Sequence, residues 1–400
     1  MSTPLGYFLR NSSWVVSGQI INMVAGMLLS VVFARRVDPD VYGKYQYILA
    51  VIAFFSVFSL NGLNLSIMKS VIAGSEGSLK RATRTSFFAG LLAIPFLLVF
   101  AWYTSTYRDS SVGNLLFFAA LFFPFVYACN GWSSFYEAKK KYQSVVQRMI
   151  PLQLTITGAI GVAAWFRMPL PVLVGVFLGL TAIGHFIYYR EAASRAAPGG
   201  SELDVRYGIL ITIQKFSQTL TGTLPPILIA IFFQYEQVAI FAIAFSLVAL
   251  VSSIATTMLS IYQPYFFDVG RINISFSKVL GGTIGLGLVL TLAFATGLSL
   301  FFFPLYGAAY EESYNIAWFV LPCIIFFPLR AFLGYYLTAK GNNVSLTLLN
   351  VLSHVLGALL LVIGHRSIAF VPLIGWYYIT ITLASLPFNI FQFLRVQRRL

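Results

Sequence analysis

Read for its hydrophobic and polar positions, the chain is a succession of apolar runs of about 20 residues, parted by short polar turns. Each run is long enough to cross the roughly 30 Å hydrocarbon layer as a helix. Spans of this kind fit at 12–34, 44–66, 85–104, 114–136, 147–166, 170–189, 206–232, 238–260, 279–303, 314–338, 344–364 and 369–392, which makes 12. Pro95, Pro124, Pro225, Pro226, Pro322 and Pro328 fall inside runs. A membrane helix tolerates this where neighbouring helices or water satisfy the freed carbonyls. Trp14, Trp102, Trp165, Trp318 and Trp376 lie near run ends, as an interfacial belt requires.

The one long polar connection, Arg190 to Arg206, is rich in Ala, Pro, Gly and Ser and reads as a flexible linker. It separates residues 1–192 from 206–400, with 193–205 between them, and leaves six spans on each side. An even number of spans gives both halves the same orientation. The expected fold class is therefore an all-α polytopic membrane protein of two six-helix bundles, a parallel pseudo-repeat around a central cavity. A short motif supports the repeat: Asp40, Gly43 and Tyr45 recur 196 positions later as Glu236, Ala239 and Phe241.

Composition removes the soluble alternative. Hydrophobic residues make up 58% and charged residues 10% of the chain, against about 25% charged in soluble domains, so no polar faces remain to cover an exterior. The net charge of +14 invites a nucleic-acid reading, but its distribution speaks for topology. With the N-terminus in the cytoplasm, the inside segments hold 18 of the 26 lysines and arginines and the outside loops 6. The positive-inside rule then places both termini in the cytoplasm. The first apolar run is long and lacks a small-residue cleavage site, so it reads as a retained span. Cys129 and Cys323 form no ligand-spaced pair, and His185, His354 and His365 are scattered, so no metal site is expected. No Gly-rich phosphate loop followed by Lys-Ser/Thr occurs, so ATP hydrolysis is not expected either.

The two remaining basic residues, Lys215 and Arg330, lie inside spans. From the helix rise they sit about 13 Å and about 12 Å from the cytoplasmic ends of their spans. No Asp or Glu is expected deep in a span to neutralise them. Such cations face a cavity or a partner, and a bound anion would stabilise two at one depth. Lys215 belongs to a polar stripe with Gly208, Thr212, Gln218, Thr219 and Gly222 that points into the bundle. Arg330 has only Cys323, Gly334 and Thr338 on its side. For both, the alternative is snorkelling to the inner headgroups. Gln19, Asn22, Gly26 and Ser30 form a similar stripe in the first span, and Asn61 and Asn64 add amides in the second. These suit a glycan path, or equally the ordinary hydrogen bonding between membrane helices. Gln19 and Lys215 are themselves 196 apart.

The turn after the first span reads Phe33, Ala34, Arg35, Arg36, Val37, Asp38, Pro39, Asp40, Val41, Tyr42, Gly43, Lys44, Tyr45. It resembles the apolar-Ala-Arg-x-apolar-Gly-Pro-x-x-Tyr-Gly-x-Tyr turn of the oligosaccharidyl-lipid flippases of the multidrug/oligosaccharidyl-lipid/polysaccharide exporter superfamily. Asp38 stands where that pattern has glycine. Gly62-Leu63, Lys69 and the Tyr306–Glu312 loop are also similar. The resemblance implies alternating-access movement of polyprenyl-diphosphate-linked oligosaccharide from the inner to the outer leaflet of a bacterial inner membrane. That activity serves O-antigen or other surface-polysaccharide assembly, with a polymerase or other assembly proteins and membrane lipids as partners and no nucleic acid.

The expected diphosphate-binding residues are Lys215, Arg330 and Arg35, and the expected polar lining is Gln19, Asn22, Asn61, Asn64 and Gln218. Arg35 enters through the resemblance alone. Helix phase places it opposite the Gln19 stripe unless the helix breaks, and Asp38 and Asp40 lie beside it. No cofactor is expected; a coupling ion, H+ or Na+, stays open. The rival functions are a cation-coupled drug exporter, which calls for a deep carboxylate such as Glu137 or Asp268, and a membrane glycan polymerase or ligase, which calls for a catalytic external loop.

Overall fold

The computed structural model describes residues 4–197, 200, 202–260, 276–339 and 343–397, nearly all in helices or turns. The chain forms two compact units, Met1–Thr219 and Leu220–Leu400. Among the described residues, ten helical stretches are long and apolar enough to cross a membrane, and a bent helix pair brings the number to 11 if the pair is one span. The seventh expected span is the helix Val205–Phe232. It has the length but not the hydropathy, because Lys215, Gln218 and four threonines dilute its apolar residues. The protein is thus an all-α, multi-pass membrane protein. Large outward side chains such as Leu92, Val99, Leu292, Leu300, Val344 and Ile363 are exposed, the surface lipid requires.

In the first unit α1 (Pro4–Arg36) runs unbroken and packs along α8 (Tyr142–Trp165). The second expected span is broken into α2 (Pro39–Phe55), a 3-10 turn (Ser56–Ser59) and α3 (Leu63–Ile72). The third is α4 (Ser78–Leu91) followed by α5 (Ala93–Tyr107). The fourth is α6 (Ser110–Ala128), a break at Cys129–Gly131, and α7 (Trp132–Ala138). α9 (Leu170–Ser194) closes the set, and α10 (Val205–Phe232) starts in this unit. A core of Leu63, Ile67, Leu79, Trp132 and Phe135 joins α3, α4 and α7. Trp132 Nε1 donates to His185 Nδ1 at 3.1 Å and ties α7 to α9.

The second unit continues with α11 (Tyr235–Ser260), α12 (Phe276–Tyr306), α13 (Glu311–Ile324), α14 (Phe327–Ala339), α15 (Asn343–Gly364), α16 (Phe370–Leu383) and α17 (Leu386–Gln397). α13 and α14 meet at a bend of 54°. Gly287 of α12 permits this bend to approach, since a Cβ there would meet the Ile325 carbonyl. Leu329, Leu333, Tyr336 and Phe393 pack α14 on α17.

The helix ends reproduce the repeat seen in the motif. α1 ends at Arg36 and α10 at Phe232, while α2 starts at Pro39 and α11 at Tyr235; both pairs are 196 apart. The break after α6 recurs between α13 and α14. The small and aromatic motif positions are core residues in both units, with Tyr45 2% and Phe241 1% exposed, while the acids Asp40 and Glu236 are not buried. Phe33 stacks on Tyr42 and Tyr45 with centroids at 4.6 and 5.0 Å, so the aromatic positions of the turn clamp α1 to α2. Asp38 caps α2, its carboxylate accepting from the Asp40 amide.

Among the described residues, the start of the expected linker is tied to neighbouring elements. Arg148 of α8 pairs with Glu191 at 2.6 Å, Glu191 also pairs with Arg195, and the Ala197 amide donates to Glu76 at 2.8 Å. Glu76 in turn holds Lys139 at 2.7 Å. Glu191 at the end of α9 and the Ala197 backbone amide thus find partners on α8 and on the turn between α3 and α4, which composition alone does not reveal.

Candidate functional site

The break between α2 and α3 builds the site. Leu60 adopts a left-handed conformation (φ 53°) and ends the 3-10 turn, so the carbonyls of this stretch leave the helical ladder. Ser59 Oγ lies 2.6 Å from the Ser56 carbonyl and 2.9 Å from the side-chain Oδ1 of Asn61. The N-terminal half of α10 crosses here. Gly62 and Gly208 make the approach possible, because a Cβ on Gly62 would meet the Gly208 carbonyl and the Thr212 amide. The Gly62 amide donates to Thr212 Oγ1 at 2.9 Å, and Thr212 Oγ1 donates to Gly208 O at 2.8 Å.

Asp204 sets the depth of α10. Its carboxylate accepts from the Tyr207 amide at 2.9 Å and pairs with Lys69 at 3.4 Å, while its carbonyl accepts from Ser66 Oγ at 2.8 Å. About three turns into the helix, Lys215 Nζ lies 3.5 Å from the Asn61 carbonyl, a long contact for a charged donor. Lys215 is half-buried, beside Phe216, which packs edge-on against Phe54 of α2.

Opposite this break lies the one after α6. Gly131 there faces Asn64, with its Cβ position 3.6 Å from Asn64 Oδ1, and Ile67. Glu137, at the end of α7, is within electrostatic reach of Lys215. This corrects the expectation that no acid neighbours the buried lysine. The apolar run 114–136 stops one residue short of Glu137, but α7 carries the helix on to Ala138 and brings the side chain inward. Among the described residues Glu137 makes no ion pair within 4.0 Å, so its influence on Lys215 acts at longer range. Asp268, the other acid singled out, lies outside the described residues.

The structure thus assembles Lys215, Asn61, Asn64 and Glu137 around two facing helix breaks, with Thr212 and Ser59 fixing the backbone. The sequence names Thr212 on the Lys215 stripe and Glu137 only as the acid a drug exporter would need, and does not single out Ser59, because only the breaks bring the three together; Leu60-Asn61-Gly62 is the signal the sequence carries. Gln218 is exposed on α10. Gln19 and Asn22 lie on α1 along α8, Gln19 exposed and Asn22 half-buried with its Oδ1 lacking a partner among the described residues. Arg35 is exposed, and α1 has no break that would turn it toward the Gln19 stripe. Arg36 lies over the Trp165 ring at 3.8 Å, and Asp40 pairs with Lys44 at 2.7 Å.

In the second unit Arg330 sits in the first turn of α14, just beyond the bend. Its Nη2 is 3.5 Å from Asn350 Oδ1 of α15.

The sequence matches the polysaccharide biosynthesis protein family over residues 8–269. Among solved structures, the fold is similar to an inward-facing multidrug-resistance MATE transporter of the MOP superfamily, with TM-score 0.59, 11% identity, and 97% and 98% of the two chains covered. A MOP superfamily transporter from Pyrococcus furiosus gives TM-score 0.58 at 11% identity, covering 98% and 95%. The lipid II flippase MurJ in an inward closed conformation gives 0.50 at 13% identity, covering 96% and 87%. No curated protein matches the sequence. By its sequence over most of its length, the chain belongs to the polysaccharide biosynthesis protein family, and its fold is similar to those of the MATE transporter and the flippase MurJ.

Proposed function

We propose that this protein moves polyprenyl-diphosphate-linked oligosaccharide from the cytoplasmic to the outer leaflet of a bacterial inner membrane by alternating access, with both termini cytoplasmic. Its work is translocation rather than bond chemistry, in the service of surface-polysaccharide assembly. The observation that carries this reading is the under-neutralised ammonium of Lys215 at the break between α2 and α3. A partly buried cation with one long carbonyl contact favours an incoming anion. A diphosphate diester brings negative charge and acceptor oxygens, and the amides of Asn61 and Asn64 suit the sugar hydroxyls beside it. Within the second unit, Arg330 carries the planar fork that suits phosphate oxygens. The prenyl tail stays in lipid. Arg35 is kept as a contact on the release side.

Loss of surface glycan in a deletion strain carrying Lys215→Ala, with partial recovery in Lys215→Arg, is the expected result. Full glycan assembly by Lys215→Ala at normal protein levels would refute the role of this residue. Translocation of a labelled lipid-linked glycan by reconstituted protein tests the activity itself.

Glu137 favours a second reading, cation-coupled export of small molecules, because a carboxylate near a membrane lysine can exchange a proton or Na+. Glu137→Gln separates the two. Lost drug export or ion dependence supports the exporter, while retained glycan assembly supports the flippase.

A further inference from the structure

The second unit buries a histidine that the proposed function does not use. His354 on α15 is 2% exposed. Its Nε2 lies 3.1 Å from Thr221 Oγ1 of α10, and its Nδ1 is buried with no hydrogen-bond partner among the described residues. One turn earlier on the same helix, Asn350 Oδ1 meets Arg330 Nη2 at 3.5 Å. Asn350 and His354 are four residues apart and share a helix face, which brings the imidazole within electrostatic reach of the Arg330 guanidinium.

A guanidinium has five N–H donors in a fixed fork. Among the described residues this one makes a single long hydrogen bond and no ion pair. Two neighbouring groups, linked through the helix face of Asn350, therefore hold unspent polar capacity. The elements packed on α15 bring no acid: α14 contributes Arg330, while α16 and the part of α10 in this unit contribute no charged residue. The other titratable side chains on these helices are the phenols Tyr335, Tyr336, Tyr377 and Tyr378, which keep their protons at neutral pH because phenols ordinarily titrate at about 10.

We propose that Arg330 and His354 together form an anion site for a phosphate-class oxyanion in the second unit, and that His354 takes up a proton from water as the anion arrives. This deepens the assignment of Arg330 made above and rests on it. Without an anion, a second cation beside Arg330 in an apolar surrounding is repelled. An oxyanion between them reverses the balance and gives Nδ1–H the acceptor it lacks. The ring then donates from Nε2 to Thr221 Oγ1 and from Nδ1 to the anion, so every polar atom of the imidazolium is used. One proton moves from solvent to the ring for each anion bound.

The probe is a short-prenyl diphosphate-linked monosaccharide, a diester whose own charge is constant between pH 6 and 8. It is titrated calorimetrically into protein in phosphatidylcholine nanodiscs, in buffers of different ionisation enthalpy. A UDP-sugar serves as a tail-free diphosphate, and nanodiscs containing phosphatidylglycerol supply a lipid phosphate. The expected result is a Kd about tenfold tighter at pH 6 than at pH 8, with up to one proton taken up per probe. His354→Gln should bind the probe several-fold more weakly at pH 6 and lose both the pH dependence and the proton uptake. His354→Asn serves as the second variant if the first melts early.

A pH dependence that persists in both variants would overturn the proposal. Binding that is independent of pH in the natural protein yet lost in Arg330→Ala would overturn it while leaving the proposed function standing. No binding of the prenyl diester at any pH would remove both. Competition by phosphatidylglycerol but not by the UDP-sugar would overturn a diphosphate as the occupant.

Discussion

Replacing Asp109 by asparagine tests how the turn that carries the family motif is held. Asp109 caps α6: its Oδ1 accepts from the Ser111 amide at 2.8 Å and the Val112 amide at 3.2 Å. Its Oδ2 lies 2.8 Å from Lys44 Nζ, and Lys44 also reaches Asp40 at 2.7 Å, so one ammonium ties α2 to the start of α6. Burial by itself pushes the Asp109 carboxyl up, but hydrogen bonds from Lys44, Ser111 and the Val112 amide outweigh it and hold the group at about 2, below the ordinary 3.8. A depression of this size corresponds to about 2.5 kcal/mol. Solvent reaches the outer edge of the pair, and screening reduces the usable part to about 1 kcal/mol. The substituted amide would keep an acceptor for the cap but turn an NH2 toward the Lys44 ammonium.

The folded-state value is depressed, so this stabilisation is complete above pH 3.8 and fades as pH falls toward 2. Asp109→Asn should therefore lower stability by about 1 kcal/mol at pH 7, and the gap to the natural protein should close between pH 4 and pH 2. Denaturant melts of both proteins in detergent across that range measure it. A gap as large at pH 2.5 as at pH 7 would refute the ion-pair account.

Two further outcomes follow from the packing. Gly62→Ala forces a methyl onto the Gly208 carbonyl and the Thr212 amide, both backbone. It should cost about 1–3 kcal/mol in thermal unfolding and weaken diphosphate binding more than Gly26→Ala, where a Cβ meets open space. Glu76→Ala removes the acceptor shared by Lys139 and the Ala197 amide, so limited proteolysis between residues 195 and 200 should speed up several-fold; an unchanged cleavage rate would mean that the connection is held elsewhere.

Much of the fold was legible because a bilayer restricts the choices: a run of apolar residues of sufficient length has to be a helix. All of the expected spans coincide with helices, and the 196-residue repeat of Asp40, Gly43 and Tyr45 recurs in the helix ends Arg36 and Phe232. Periodicity also separated Arg35 from the Gln19 stripe, and the unbroken α1 keeps them apart.

The breaks lay beyond that reading. An apolar run looks continuous whether or not its carbonyls stay in the ladder, so neither the turn at Leu60 nor the bend before Phe327 was visible as such. Sequence patterning by itself determined the membrane class, the helices, the repeat and the presence of two intramembrane cations. Tertiary structure alone decided what those cations meet. Lys215 reaches the Asn61 carbonyl because Gly62 and Gly208 let two backbones touch, and Glu137 approaches because the break after α6 redirects α7. Arg330 gains His354 as a neighbour through Asn350. Helical periodicity sets which face a residue occupies, but contact with another helix depends on where that helix is allowed to cross.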